Sequence, residues 1–330
     1  METAIFGNTG EELSRIGLGC FSMSGAYGAA DDAESVATIH RAIDLGITLL
    51  DTSASYGQGH NHRLIGQALK GSLRGKVFIH SKTGTIRAND GSSVAQGSGT
   101  PDRLRQVCET SIKNLGIETL DAFCLSRVDP TVPIEETVGA MARLVEDGKT
   151  RFIGLSEAAP GTLRRAMKVH PLVSLQYEYS LWTRDVEGGH LEACDELGLG
   201  LMAYAPLGYG FLAGTVGGRD ALGQGDARHK FPRFSAENAA ANRERVAAVR
   251  KVADAHRATP AQICIAWVLA TGANVFPIPG CKQRTHLEEN LQALDVALTA
   301  EDLAALDTAF PPGAAAGDRY PPDGMARVNL

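Results

Sequence analysis

No stretch of this 330-residue chain strings together the roughly 18 apolar residues that a membrane-spanning helix requires. The opening METAIFGNTG has neither the basic nor the apolar region of a signal peptide, so no secretory leader is expected. The six cysteines (Cys20, Cys108, Cys124, Cys194, Cys264 and Cys281) include no C-x-x-C pair and are widely scattered. They read as reduced, mostly buried thiols, and a cytoplasmic setting is the expectation. Positive charge is not in excess either: the net charge is −6. That argues against nucleic acid or a membrane surface as a partner. No strand feeds a Gly-x-Gly-x-x-Gly turn, because Gly17, Gly19 and Gly25 have the wrong spacing for a doubly wound dinucleotide-binding sheet. His60 and His62 find no third ligand at a recognisable spacing, so neither a metal site nor a metal-dependent hydrolase is expected.

What the chain does have is alternation. After a short hairpin in residues 1–16, apolar strand-like runs end at Cys20, Asp51, Lys82, Ser126, Ser156, Tyr177, Ala205 and Ile278. Helical stretches lie between them: 32–45, 61–69, 102–115, 134–146, 161–169, 191–197, 238–256 and 287–294. Parallel neighbours need a covered crossover, so strand–helix repetition favours a parallel sheet. Eight repeats predict one (β/α)8 barrel over residues 1–330, with the hairpin as an N-terminal cap and 310–330 as a tail. A further helix, 260–270, carries a cap, a first-turn proline and a capping-box acceptor in Thr259, Pro260 and Gln262. Two long insertions, 83–99 and 208–237, join the tail as expected loops over the C-terminal face, where barrel active sites lie.

The strand ends supply the chemistry. Asp51 closes the second strand and Tyr56 follows it, Lys82 ends the third, and Ser126 ends the fourth. Ser156 and Glu157 follow the fifth, Gln176 lies in the sixth and Tyr204 in the seventh. A free phenol titrates near 10, too high for proton transfer at neutral pH. A lysine beside it is expected to draw that value down, and an aspartate keeps the lysine charged and aimed. Tyr56 then protonates a carbonyl oxygen while hydride reaches the carbon. Independently, Lys282 and Arg284 beside a helix start make a phosphate site.

The segments LLDTSASYG, HSKTG, LSRVDPTVPIEETVGAM, GKTRFIGLSEA, SLQYEYSLWTRD, AYAPLGYGFLAG and IPGCKQRTHLEEN together resemble the aldo-keto reductase family, in particular its bacterial NADPH-dependent group. The likeness runs from the hairpin to the tail segment Gly317-Asp318-Arg319-Tyr320-Pro321. It implies a reductase of small-molecule aldehydes or ketones with NADPH as cofactor. Tyr56 is then the general acid, tuned by Lys82 and Asp51. Ser156, Gln176 and Glu157 would meet the nicotinamide carboxamide, Glu157 standing where many relatives have Asn, and Tyr204 would stack on the ring. Ala205, Leu207, Gly208 and the loop to Gly214 would line the pyrophosphate. Gly280, Cys281, Lys282, Arg284, Glu289 and Asn290 would hold the adenosine end.

One position departs from the family pattern. The usual histidine at the end of the fourth strand, in His-Arg-x-Asp-Pro, is here Ser126-Arg127-Val128-Asp129-Pro130. A serine hydroxyl is shorter than imidazole and never cationic. Losing one such donor costs about 2.7–4 kcal/mol of transition-state stabilisation. His80, on the same strand face as Lys82 by alternation, is a candidate replacement for part of that imidazole. Two other readings follow from Ser126: reduction of another acceptor such as an activated C=C bond, or a low-turnover NADPH-binding or sensing subunit. Retention of Asp51, Tyr56 and Lys82 favours the enzyme.

Overall fold

The computed structural model describes residues 1–87 and 93–330. Two short strands, β1 (Thr3–Ile5) and β2 (Glu12–Ser14), pair antiparallel as the expected hairpin. The parallel sheet begins with β3 (Leu18–Gly19), β4 (Leu49–Asp51) and β5 (Phe78–Lys82). A small antiparallel pair, β6 (Ile86–Arg87) and β7 (Ser93–Val94), sits in the following loop. The sheet resumes with β8 (Leu120–Leu125), β9 (Thr150–Ser156), β10 (Ser174–Glu178), β11 (Gly200–Tyr204) and β12 (Val275–Ile278), each strand pairing with the next. Gly19 bridges Gly280, and the Gly17 and Gly19 amides donate to Pro277 O and Pro279 O at 3.0 and 3.1 Å. A Cβ on Gly19 would lie 2.7 Å from Ile278 O, so the seam closes only because that residue has none.

Around this barrel run α1 (Asp32–Asp44), α2 (His60–Ala68), α3 (Pro101–Leu115), α4 (Ile134–Glu146), α5 (Pro160–Met167), α6 (His190–Leu197), α7 (Ala236–His256), α8 (Pro260–Ala270) and α9 (Arg284–Leu291). The expected (β/α)8 architecture is present. Helix α8 starts at the capping box read from Thr259 and Gln262, with both reciprocal bonds formed. Two of the helices were not anticipated. Helix α10 (Ala300–Ala309) opens on a second capping box, Thr299 with Asp302, and α11 (Pro322–Met325) lies in the tail.

Strand alternation divides the apolar residues into two cores. Leu50, Ile79, Phe123, Ile153, Leu175 and Leu201 face the helices. Leu49, Phe78, Ala122, Met202 and Phe276 fill the lower barrel, where Phe6 of the hairpin inserts with ring centroids 5.5 Å from Phe78 and 5.1 Å from Phe276. The hairpin therefore plugs the N-terminal end. Above that apolar floor the inward residues are polar, and there the site is built.

The insertion 208–237 is more ordered than a loop reading implies. It forms four single turns, pinned by Trp182 stacked on Phe211 at 5.0 Å and by Ala227 N donating to Ala26 O at 3.0 Å. Of the insertion 83–99, residues 88–92 lie outside the described residues. The chain end returns over the barrel rim, where Asn329 N donates to Glu157 O at 2.8 Å.

Helix α2 is tied to the sheet by His62, whose Nε2 meets Ser81 Oγ at 2.9 Å in a fully buried contact. Burial pushes this imidazole down to about 4. A histidine held neutral in the fold takes up its proton more readily when unfolded. Stability should therefore be complete above the ordinary histidine pKa and fall as pH drops from about 6.5 towards 4, by up to about 3 kcal/mol. Urea unfolding at a series of pH values checks this, and His62→Gln should flatten that fall.

Candidate active site

Asp51 is the hub of the upper barrel. It ends β4 and is buried, and Lys82 Nζ donates to both its carboxylate oxygens, at 2.6 and 2.8 Å, and to Thr52 O at 2.8 Å. Gln176 Nε2, across the barrel on β10, donates to Asp51 Oδ1 at 2.7 Å. His80 lies beneath, with Nδ1 3.4 Å from the same oxygen and Nε2 3.0 Å from Ser174 Oγ. A Cβ on Gly154 would stand 2.3 Å from Ser174 Oγ, so only glycine leaves room for that serine. Burial alone would raise the Asp51 pKa, but Lys82 and His80 together hold the carboxyl below its ordinary value. Asp51 is therefore a carboxylate, and the pair is a buried salt bridge with additional donors.

Tyr56 begins a one-turn helix after β4, half-buried, with Lys82 Nζ 5.1 Å from its ring centroid. Its hydroxyl has no hydrogen-bond partner among the described residues. The expected lowering of its pKa is corrected here: the phenol is raised well above 10, by burial first and by Asp51 second. The reason lies in the ion pair. Both oxygens of Asp51 hold Lys82, so the phenol feels a neutralised pair and a nearby carboxylate, not an isolated cation. Tyr56 is held protonated.

Ser126 stands at the end of β8, where its Oγ accepts from Gly84 N at 2.7 Å and its own amide donates to Thr83 Oγ1 at 3.0 Å. Its hydroxyl thus anchors the start of the 83–99 insertion. The proposal that His80 takes over for the missing imidazole is also corrected. His80 is engaged by Asp51 and Ser174, and among the described residues it makes no hydrogen bond to Ser126.

A second polar cluster follows at the ends of β9–β11. Glu157 turns the chain at φ +55, an uncommon conformation for a residue with a side chain. Its buried Oε1 accepts from Arg319 Nη2 at 2.6 Å, Tyr204 OH at 2.7 Å and Glu178 N at 3.1 Å. Its Oε2 is buried with no partner. Glu178, equally buried, accepts from Thr183 Oγ1 and Tyr209 OH, both at 2.7 Å, and from Arg319 Nε at 3.2 Å. Burial works against that carboxylate, yet Arg319 and Arg233 hold its pKa below the ordinary range. Tyr204 OH also meets Tyr320 OH at 2.8 Å. The tail is therefore built into the site.

The other sequence-expected residues lie around this centre. Ser156 Oγ is 3.5 Å from Arg127 Nη1. Ala205 (φ +51), Leu207 and Gly208 (φ +54) make a tight turn after β11, closed by Gly208 N to Ala205 O at 2.9 Å. Beyond it, a Cβ on Gly214 would come 3.1 Å from Arg250 Nη2, a guanidinium with no carboxylate partner among the described residues. Gly280 is at the barrel seam, and Cys281 is buried with Sγ donating to Gln283 O at 3.0 Å. Lys282 Nζ donates to Tyr27 O, Gly28 O and Ala29 O at 3.2, 3.4 and 2.5 Å, strapping two loops together. Arg284 forms a two-bond pair with Glu34 in solvent. On α9, Glu289 is partly exposed and Asn290 buried. Among the described residues no group of three or more His, Cys, Asp or Glu converges as a metal site, and His60 bonds Ser24 and Asp32 instead.

Sequence reasoning missed Glu178, Arg319 and Arg250. Arg319 belonged to a quoted tail segment, but nothing in its spacing could show that it returns across the chain to two buried carboxylates.

The stability of the two central residues should differ sharply. Lys82→Met leaves Asp51 buried and unpaired and should cost about 3–5 kcal/mol in urea unfolding. Tyr56→Phe removes a hydroxyl that bonds nothing among the described residues and should change stability by less than about 0.5 kcal/mol.

Known proteins resemble this chain over most of its length. Residues 15–310 match the model of the Aldo/keto reductase family. The chain is 42% identical over 315 residues to the probable aldo-keto reductase 1 of Glycine max, covering 95% of this chain and 90% of that protein. A thermostable aldo-keto reductase crystallised with the inhibitor epalrestat superposes with a TM-score of 0.72 at 32% identity, over 94% of this chain and all of the other. A glycerol dehydrogenase from Gluconobacter oxydans gives a TM-score of 0.81 at 25% identity, over 97% and 98%.

Proposed function

The chain belongs to the aldo/keto reductase family of oxidoreductases, and on that premise we propose that it reduces the carbonyl of a small aldehyde or ketone, with NADPH as cofactor and Tyr56 as general acid. The observation that carries the reading is the buried Lys82–Asp51 pair facing an unbonded phenol.

The residues present fit a nicotinamide dinucleotide. Glu157 Oε2 is a buried acceptor without a donor, which suits a carboxamide N–H2. The positive-φ turn at Ala205–Gly208 and the glycine at 214 beside Arg250 leave backbone and one free guanidinium for a pyrophosphate. Ser156 and Gln176 Oε1 complete the carboxamide set, the amide nitrogen of Gln176 being committed to Asp51. The face of Tyr204 is the ring platform. Gly280, Cys281, Lys282, Arg284, Glu289 and Asn290 take the adenosine end, the two cations favouring a 2′-phosphate.

When bound, the reduced nicotinamide supplies the hydride. Tyr56 holds a proton at its hydroxyl oxygen and passes it to the carbonyl oxygen as the carbon gains hydride. Asp51 fixes Lys82, and Lys82 faces the phenol ring so that the phenolate formed has a cation at hand. Ser126 holds the neighbouring loop through Gly84, and the chemistry is carried without imidazole. We treat residues 1–330 as one catalytic unit in the cytoplasm, a setting supported by six buried, unpaired thiols.

Tyr56→Phe should lower kcat at least about a hundredfold while NADPH binding, followed by quenching of protein fluorescence, stays intact. Normal turnover in that variant removes the assignment, and tight NADPH binding without hydride transfer in the unaltered protein favours the sensing reading. With burial and Asp51 holding the phenol protonated, kcat/KM for reduction should stay flat from about pH 7 to about pH 9. A fall centred below that range would mean the phenol titrates lower than its surroundings dictate. Arg284→Ala should raise the KM for NADPH about tenfold or more and leave that for NADH nearly unmoved, if the cation reads a phosphate.

A further inference from the structure

Beside the catalytic strand ends, Arg127 is a cation without a carboxylate partner among the described residues. Rings run outward from Tyr56 in an unbroken series. Phe21 stands 4.6 Å from Tyr56 and 5.4 Å from Tyr27 between ring centroids. Tyr209 follows at 6.3 Å from Tyr27, then Phe231 at 4.9 Å and Tyr320 at 5.7 Å. Such a wall suits a flat apolar body. At its edge Arg127 leaves β8 directly after Ser126. Its Nη1 donates to Ser126 O at 2.6 Å and lies 3.5 Å from Ser156 Oγ, which fixes the guanidinium among the catalytic strand ends.

The neighbouring arginines are neutralised. Arg228 pairs with Asp226 at 2.6 Å, Arg319 with Glu157 and Glu178, and Arg327 with Asp323 at 3.6 Å. Arg127 has no carboxylate within ion-pair distance among the described residues, and its Nε and Nη2 bond to nothing there. Its charge reaches the phenol, opposing burial and Asp51 at Tyr56. Burial works against this cation, and Tyr204, Glu157 and Tyr320 support it from beyond bonding distance; its planar fork, with two nitrogens still unbonded among the described residues, matches a carboxylate.

We propose that Arg127 binds an anionic group of the substrate, which makes the preferred substrate a flat, apolar aldehyde or ketone that carries a carboxylate. The inference rests on the carbonyl-reducing reading above. Ring packing holds the body, Arg127 takes the carboxylate, and the two together set the carbonyl before Tyr56.

The test compares kcat/KM, with NADPH, for 4-carboxybenzaldehyde and its neutral methyl ester. The unaltered protein should prefer the carboxylate by about tenfold or more, the factor of a single good ion pair. Arg127→Met should collapse that ratio and Arg127→Lys should retain part of it. Raising salt from about 50 to about 300 mM should increase KM for the carboxylate and not for the ester, a measurement that needs no variant should Arg127→Met fail to fold. Turnover without preference, a preference insensitive to salt, or equal losses for both substrates in Arg127→Met overturns the inference alone. Equal losses would assign Arg127 to the carbonyl or the cofactor. Absence of NADPH oxidation with either aldehyde overturns the carbonyl-reducing reading and the inference with it.

Discussion

The buried pair between Asp51 and Lys82 is the constraint on which the rest of the upper barrel depends. A carboxylate taken out of water must be matched by charge and by donors, and Asp51 draws them from two strands: Lys82 from β5 and Gln176 from β10, with His80 Nδ1 of β5 3.4 Å away below. Each donor is thereby fixed as well. Gln176 has its nitrogen turned to Asp51 and its oxygen left free, and His80 is pinned against Ser174. The apolar floor of Phe6, Phe78 and Phe276 beneath excludes water from this layer and raises the cost of any mispairing.

The same pair decides what Tyr56 is. A lone lysine would make the phenol more acidic. A lysine spent on both oxygens of a carboxylate does not, and burial then keeps the proton on. The protein thus holds a protonated phenol, with the Lys82–Asp51 pair beside its ring. The departure at Ser126 fits this division of labour, since its hydroxyl is occupied by a loop amide. Arg127, one residue on, is the nearby group with donors still to spare.

A second network works at longer range. Arg319, from the chain end, enters between Glu157 and Glu178 and carries Tyr320 against Tyr204. Two carboxylates at the ends of adjacent strands would repel without it. The tail is therefore part of the wall, and rings from four loops meet around one mouth only when it is in place.

The amino-acid order by itself determined the barrel, because strand–helix alternation is a local, repeated pattern that each segment expresses on its own. It also pointed to the trio Asp51, Tyr56 and Lys82, because each stands at the end of or just beyond an apolar run, and such ends share one rim. What it left open was direction and partnership. Alternation placed His80 beside Lys82, but only the folded barrel shows it aimed across to Ser174. Spacing put a lysine near a phenol, and only the distances show that lysine already neutralised. Arg319 and Glu178 lie 141 residues apart in the chain, so no local signal could join them. Local periodicity is written into the sequence residue by residue, whereas the sign of a pKa shift and the choice of ion-pair partner depend on burial and separation, which exist only once the chain has closed on itself.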